Sequence, residues 1–183
     1  MDNIIDYLSK VPDKRRKQGI RYALDKTLAL MLIGTMAGCV GYRSIARFCK
    51  DHEKLLSKAF DLKHGVPSHV SLIAIVTSVD LEDFQKAVNE WSKSKLKGTK
   101  KGGSVIAIDG KAIKASVNEG TSKEQNFISF VHAFCVSEQI VIGSLAFENK
   151  KLSETEVVRT MIEMLGMKGA IFTLDANHDS KKH

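Results

Sequence analysis

The stretch VIAIDGKAIKAS, residues 105–116, carries one carboxylate, Asp109, out of a run of β-favouring residues into a Gly-Lys pair. An aspartate buried beside Ile108 is costly unless it is paired or holds a cation. Near the C-terminal end AIFTLDA, residues 170–176, has the same character: a short apolar run that closes on an acid, Asp175. If these two strands are sheet neighbours, both carboxylates meet near one edge of the sheet. Like charges held within a few ångströms do not both stay ionised cheaply, so one keeps a proton or a cation lies between them. Mg²⁺ (or Mn²⁺) suits the second arrangement, because Mg²⁺ is a hard ion usually held by one or two carboxylates, waters and substrate phosphates. A pair of such ions about 3.5–4 Å apart activates a hydroxyl nucleophile and stabilises the leaving oxygen of a phosphodiester. Strand-end aspartates also serve as caps and turn formers, and the two residues by themselves leave both roles open.

The elements that must position these acids are legible in the hydrophobic period. The second half reads as strands and one helix: VIAIDGKAIKAS is a strand, and FISFVHAFCV and IVIGSLAFE are two strands joined by the short turn SEQ. SETEVVRTMIEMLGM is predicted as a helix with Ser153 as N-cap and Val157, Met161, Met164 and Leu165 on one face, ending near Gly166 or Gly169. AIFTLDA is the last strand. Three meandering strands, a crossover helix and a parallel strand open an α/β sheet covered by helices. The first half is helical: a short helix around Ile4–Leu8 ended by Pro12, a central apolar helix from Leu24 to Met36, and further helices through GYRSIARFCKDHEKLLSKAF. Two more are expected after the caps Ser68 and Asp80. The domains are therefore expected at 1–97 and 105–183, with the basic Gly/Ser-rich residues 98–104 as linker.

Bulk composition narrows the class. Apolar content of 43% and charged content of 27% belong to a globular chain, and three cysteines without C-x-x-C spacing argue against a disulfide framework or zinc ribbon. TLALMLIGTMAGCVG is too short to span a bilayer, and no secretory signal opens the chain, so a cytoplasmic location is expected. Net charge is +7, and residues 1–97 hold 17 Lys+Arg against 11 Asp+Glu, which leaves +6 in the helical half. KVPDKRRKQGIRYALDK, residues 10–26, concentrates it, with Lys14, Arg15, Arg16, Lys17 and Arg21 as candidate contacts to a polyanion such as nucleic acid. A solvated basic loop is the plainer alternative. No G-x-x-x-x-G-K-[ST] loop is present, so ATP use is not implied.

The pattern IAIDGKAIKAS…FVHAF…SETE…LGMKGAIFTLDANH resembles the H-repeat-associated group of DDE transposases of bacterial insertion sequences. PDKRRKQGIRYALDKTLALMLIGTMAGCVGYRSIARF and VPSHVSL resemble the helical region that precedes the catalytic domain in that group. The resemblance implies an incomplete ribonuclease-H-like mixed sheet in the second half, so that the fold class is α+β (or α/β) with a helical N-terminal region. It implies that Asp109 and Asp175 are the first two acids of a catalytic triad that binds Mg²⁺ or Mn²⁺. It also matches Lys111, a phosphate contact or a solvated side chain, and Glu154, a site acid or part of a helix cap. The implied partners are the element ends and target, both double-stranded DNA, with a homo-oligomer formed on them, in the nucleoid of a bacterial cytoplasm. Two departures stand out: Ser180 occupies the position of a usual glutamine, and the third acid, a Glu far downstream, has no counterpart before His183. The resemblance therefore implies a truncated or frameshifted transposase, or its N-terminal portion, with very weak or absent strand transfer on its own. The alternative functions are a non-catalytic DNA-binding module that occupies element ends and, further off, a ribonuclease-H-type nuclease.

Overall fold

A computed structural model describes residues 3–18, 20–96, 103–113 and 127–174. The chain divides into two compact units, Met1–Trp91 and Ser92–His183.

The first unit is helical. Helix α1 (Ile4–Leu8) is followed by α2 (Leu24–Met36), α3 (Tyr42–Asp51), α4 (Glu53–Phe60), α5 (His69–Val76) and α6 (Leu81–Ser94), which runs past the unit boundary. Helix α2 is apolar on most of its circumference, and such a helix is stable only when surrounded. It buries Leu24, Leu28 and Ala29 with Leu8, Val11, Ile75 and Ala87, and Leu30 with Ile45, Cys49, Leu56 and Leu72. The segment from Tyr42 to Phe60 is two helices that break at His52, whose Nδ1 lies 2.9 Å from the Phe48 carbonyl. Ser68 caps α5 by accepting from the Ser71 N–H at 3.3 Å, and Asp80 accepts from the Glu82 N–H at 2.9 Å at the start of α6. Both caps fall where the sequence places them. Burial, with the charge of Cys39 as a smaller cause, pushes the Cys49 thiol up to about 11.

The second unit is a four-stranded sheet with one helix. Strands β1 (Val105–Ile113), β2 (Ile128–Cys135) and β3 (Ile140–Glu148) form an antiparallel meander, α7 (Glu154–Leu165) crosses over, and β4 (Ile171–Leu174) returns parallel to β1. The strand order is β3-β2-β1-β4, so the expected neighbours β1 and β4 are paired. A capping box starts α7: Ser153 accepts from the Glu156 N–H, and the Glu156 carboxylate accepts from the Ser153 N–H at 2.9 Å. Val157, Val158, Met161 and Leu165 are buried with Ile106, Ile108, Val131, Ala133 and Ile142, while Met164 is exposed rather than on this apolar face. The architecture is mixed α+β, with seven helices and a four-stranded mixed sheet among the described residues. No helix among them is long and apolar enough to cross a membrane.

The close approach of α2 and α3 depends on Gly34. A Cβ there would lie 2.9 Å from Cγ2 and 3.2 Å from Cγ1 of Ile45, a buried β-branched side chain with one favoured rotamer in a helix. Gly34→Val is expected to lower the stability of the helical unit by about 2 kcal/mol, a typical cost of overpacking. Urea unfolding followed by circular dichroism measures it, and an unchanged midpoint would show that the contact yields.

Candidate functional site

Strand pleating decides what Asp109 faces. Successive residues of β1 point to opposite faces, and Ile106 and Ile108 take the face covered by α7. Asp109 therefore emerges on the other face with its side chain 68% exposed. The expectation of a buried aspartate is corrected here: solvent hydrates the carboxylate, so no burial penalty forces a partner on it. Lys111, two residues on and on the same face, brings its Nζ to 4.0 Å from Asp109 Oδ2, and both side chains are largely exposed. In that setting the pair is a weak surface contact.

Across the sheet Asp109 pairs with His132 of β2, and His132 pairs with Ser144 of β3, which makes a polar row over three strands. His132 Nδ1 and Ser144 Oγ lie 2.6 Å apart, and the imidazole stacks on Phe130 with centroids 5.8 Å apart. Burial pushes the His132 pKa below its ordinary value; the charge of Lys111 acts the same way, and Asp109 opposes both. The neutral imidazole is favoured next to Asp109. The Ser144 hydrogen bond gives the half-buried imidazole a polar partner. Its place beside Asp109 follows only from the register.

On the other side of β1, the parallel register runs from Val105↔Ile171 to Ile108↔Leu174. The next residue of the chain after each member of that last pair is an acid, Asp109 and Asp175. Asp175 itself lies outside the described residues, as do His178 and Ser180. Among the described residues no three His, Cys, Asp or Glu side chains gather as a metal-binding group. Asp109 alone supplies a hard, hydrated oxygen donor, the type that Mg²⁺ takes together with waters.

Glu154 occupies the opposite face. Its carboxylate lies directly over Gly110, where any Cβ would collide with Oε1. Gly110 and Glu154 line a cleft of about 300 Å³ with Lys111, Ser129, Asn149 and Ser153. The capping-box acid of α7 is Glu156, not Glu154.

The basic segment splits into engaged and open cations. Arg15 is tied down: Nε donates to Asp13 Oδ1 at 2.8 Å, one terminal nitrogen donates to Oδ2 at 2.7 Å and to the Tyr22 carbonyl at 3.0 Å, and its side chain is only 16% exposed. Lys14 pairs with Asp80 at 3.2 Å. The Arg21 guanidinium lies 5.7 Å from the Tyr22 ring centroid. Arg16 and Lys17 are exposed and have no ion-pair partner among the described residues.

Comparison with known proteins now adds to this geometry. Residues 5–92 match the family described as DDE_Tnp_1-associated, which covers the helical unit. Along 96% of its length the chain is 28% identical to "Putative transposase YncI" of Escherichia coli O157:H7, and it spans 44% of that protein. It is 26% identical to "H repeat-associated putative transposase YhhI" of Escherichia coli K12, over 45% of that protein, and to "H repeat-associated putative transposase YbfD", over 68%. The helical unit thus matches a transposase-associated family, and the chain along nearly all of its length is similar to H-repeat-associated putative transposases. The chain spans less than half the length of two of these relatives. No solved structure matches it significantly.

The Asp13–Arg15 link carries a pH signature. The Arg15 hydrogen bond, outweighing burial, holds the Asp13 carboxyl below its ordinary value of 3.8. A carboxyl depressed on folding contributes stability that is present above its unfolded value and is lost as pH falls through its folded one. Asp13→Asn is expected to cost about 1–3 kcal/mol at pH 7. That difference from the wild type should shrink toward zero in urea titrations carried from pH 5 to pH 2.

Proposed function

We propose that the chain serves DNA transposition of an insertion sequence, as the part of a DDE-type transposase that carries its first two acids. The observation that supports this most is the parallel β1–β4 pairing, whose last described partners, Ile108 and Leu174, each precede an aspartate. In this reading the second unit is the opening of a ribonuclease-H-like sheet, and Asp109 and Asp175 hold Mg²⁺ or Mn²⁺. When bound, such an ion activates a hydroxyl nucleophile and neutralises charge on a phosphodiester. The chain's own residues supply the setting. Asp109 presents its oxygens on the open face of the sheet. Lys111, beside it, adds a positive charge for a phosphate. His132, kept neutral and hydrogen-bonded to Ser144, borders the acid without competing as a second cation. Double-stranded DNA is the substrate, drawn to the helical half by its net charge of +6.

Mn²⁺ titration followed by electron paramagnetic resonance tests the metal site. Binding is expected to weaken about tenfold or more in Asp109→Asn and in Asp175→Asn, because a carboxylate is lost from a site of one or two. Any Mg²⁺-dependent cleavage of duplex DNA should fall with it. Metal binding that survives both substitutions would overturn the assignment. DNA binding that persists without any metal site would leave the non-catalytic module, which the charge of the helical unit favours.

A further inference from the structure

Beside the open cations of the basic segment, Arg16 and Lys17, the first unit carries a second basic stripe. Arg43, Arg47 and Lys50 stand at i, i+4 and i+7 on α3, opposite the buried face formed by Ile45 and Cys49. Together with Tyr22, Ser68 and His69 they line a groove of about 510 Å³, and no carboxylate is among its lining residues. Lys50 is partly neutralised by Glu53 of α4, at 2.6 Å. Arg43 and Arg47 have no ion-pair partner among the described residues and are exposed.

We propose that this groove is a phosphate rail for duplex DNA, with Arg43 and Arg47 as its principal contacts. The inference rests on the DNA-binding reading above and says where on the unit the duplex lies. Spacing supports it. Seven residues of α-helix rise about 10.5 Å, and one DNA strand carries a phosphate for about every 3.4 Å of axis, so the stripe spans roughly three phosphates. A guanidinium is the side chain best matched to phosphate oxygens, since it donates in a fixed fork. The groove is also held open for such a ligand. Glu53, while pairing with Lys50, accepts from the Val66 N–H at 3.3 Å and so fixes the 65–68 wall opposite α3. The first turn of α5, at Ser68 and His69, lines the same groove and adds the positive end of a helix.

Duplex is favoured over single strands by what the groove lacks. Single-strand sites pair a cationic track with a series of aromatic platforms, and the only six-membered aromatic ring in this lining is Tyr22. By contrast the adjoining cavity on the far side of Tyr22 and Pro67, lined by Arg21, Lys26 and Lys63, includes Asp61. Lys26 there is already committed to the Asp61 carbonyl at 2.8 Å.

Fluorescence anisotropy of a labelled 20-base-pair duplex (about two helical turns), titrated with the full chain at several salt concentrations, tests the rail. Arg43→Gln/Arg47→Gln is expected to weaken binding about tenfold or more. The dependence of log affinity on log salt should fall by roughly 1.8, about 0.9 for each phosphate that is no longer neutralised. Arg16→Gln/Lys17→Gln is expected to change both by much less. Circular dichroism and urea midpoints of the variants verify folding, and Arg43→Lys/Arg47→Lys, which keeps the charge, should restore most of the salt dependence. If the wild-type chain binds duplex and the glutamine pair leaves affinity and salt slope unchanged, the rail is wrong while the DNA-binding reading stands. If the wild-type chain fails to bind duplex at low salt, both fall. Tighter binding of polyglutamate than of duplex at equal charge would assign the groove to an acidic polypeptide and overturn the rail.

Discussion

The parallel pairing of β1 with β4 is the constraint on which the second unit depends. A parallel neighbour is out of reach of a hairpin, so the chain must leave the sheet, cross over its face and return. Helix α7 makes that crossing. Its start is fixed by the reciprocal Ser153–Glu156 bonds, and its apolar stripe lies on Ile106, Ile108, Val131 and Ile142. A slip of one residue in the register would turn Ile106 and Ile108 toward water and drive Asp109 beneath the helix. That would strand a charge in an apolar core. The alternation that holds the strand in place is the same one that keeps Asp109 hydrated and on the open face.

In the first unit the corresponding contrast is between cations paired within the unit and cations left exposed without an ion-pair partner among the described residues. Arg15 is engaged by Asp13 and the Tyr22 carbonyl, Lys26 by the Asp61 carbonyl, and Lys10 and Lys14 by Glu90 and Asp80. Net charge therefore overstates what is available to a ligand. Arg43 and Arg47 differ because α3 buries only one narrow face, Ile45 and Cys49, and turns a stripe of guanidinium groups away from it.

Much of this is legible from period and punctuation. The three meandering strands, the helix after Ser153 and the apolar helix from Leu24 to Met36 all follow from alternation, caps and length, and each begins within about one residue of its expected start. What sequence does not disclose depends on three-dimensional register. The break at His52 has no glycine or proline to mark it. Glu154 over Gly110 is invisible until α7 is laid on the sheet, although a glycine within a β-branched strand is a known sign of close approach. The apolar neighbours of Asp109 suggest burial, yet the pleat sends adjacent side chains to opposite faces. Arg43 and Arg47 look like the solvated side of any amphipathic helix until the 65–68 segment forms the facing wall. The engagement of Arg15 has a readable signal in Asp13, two residues earlier, but a run of four basic residues masks it.

Cys49 gives the helical unit a property of another kind. Its sulfur is sealed off among Leu30, Ile45, Leu56 and Leu72, and its ionisation is displaced to about 11. Only the thiolate is a strong nucleophile, so at neutral pH the closed unit protects this atom twice, by exclusion and by protonation. Alkylating reagents reach it only when the helices part, and the labelling rate then measures how often they do. The interior thus contains its own chemical clock for opening.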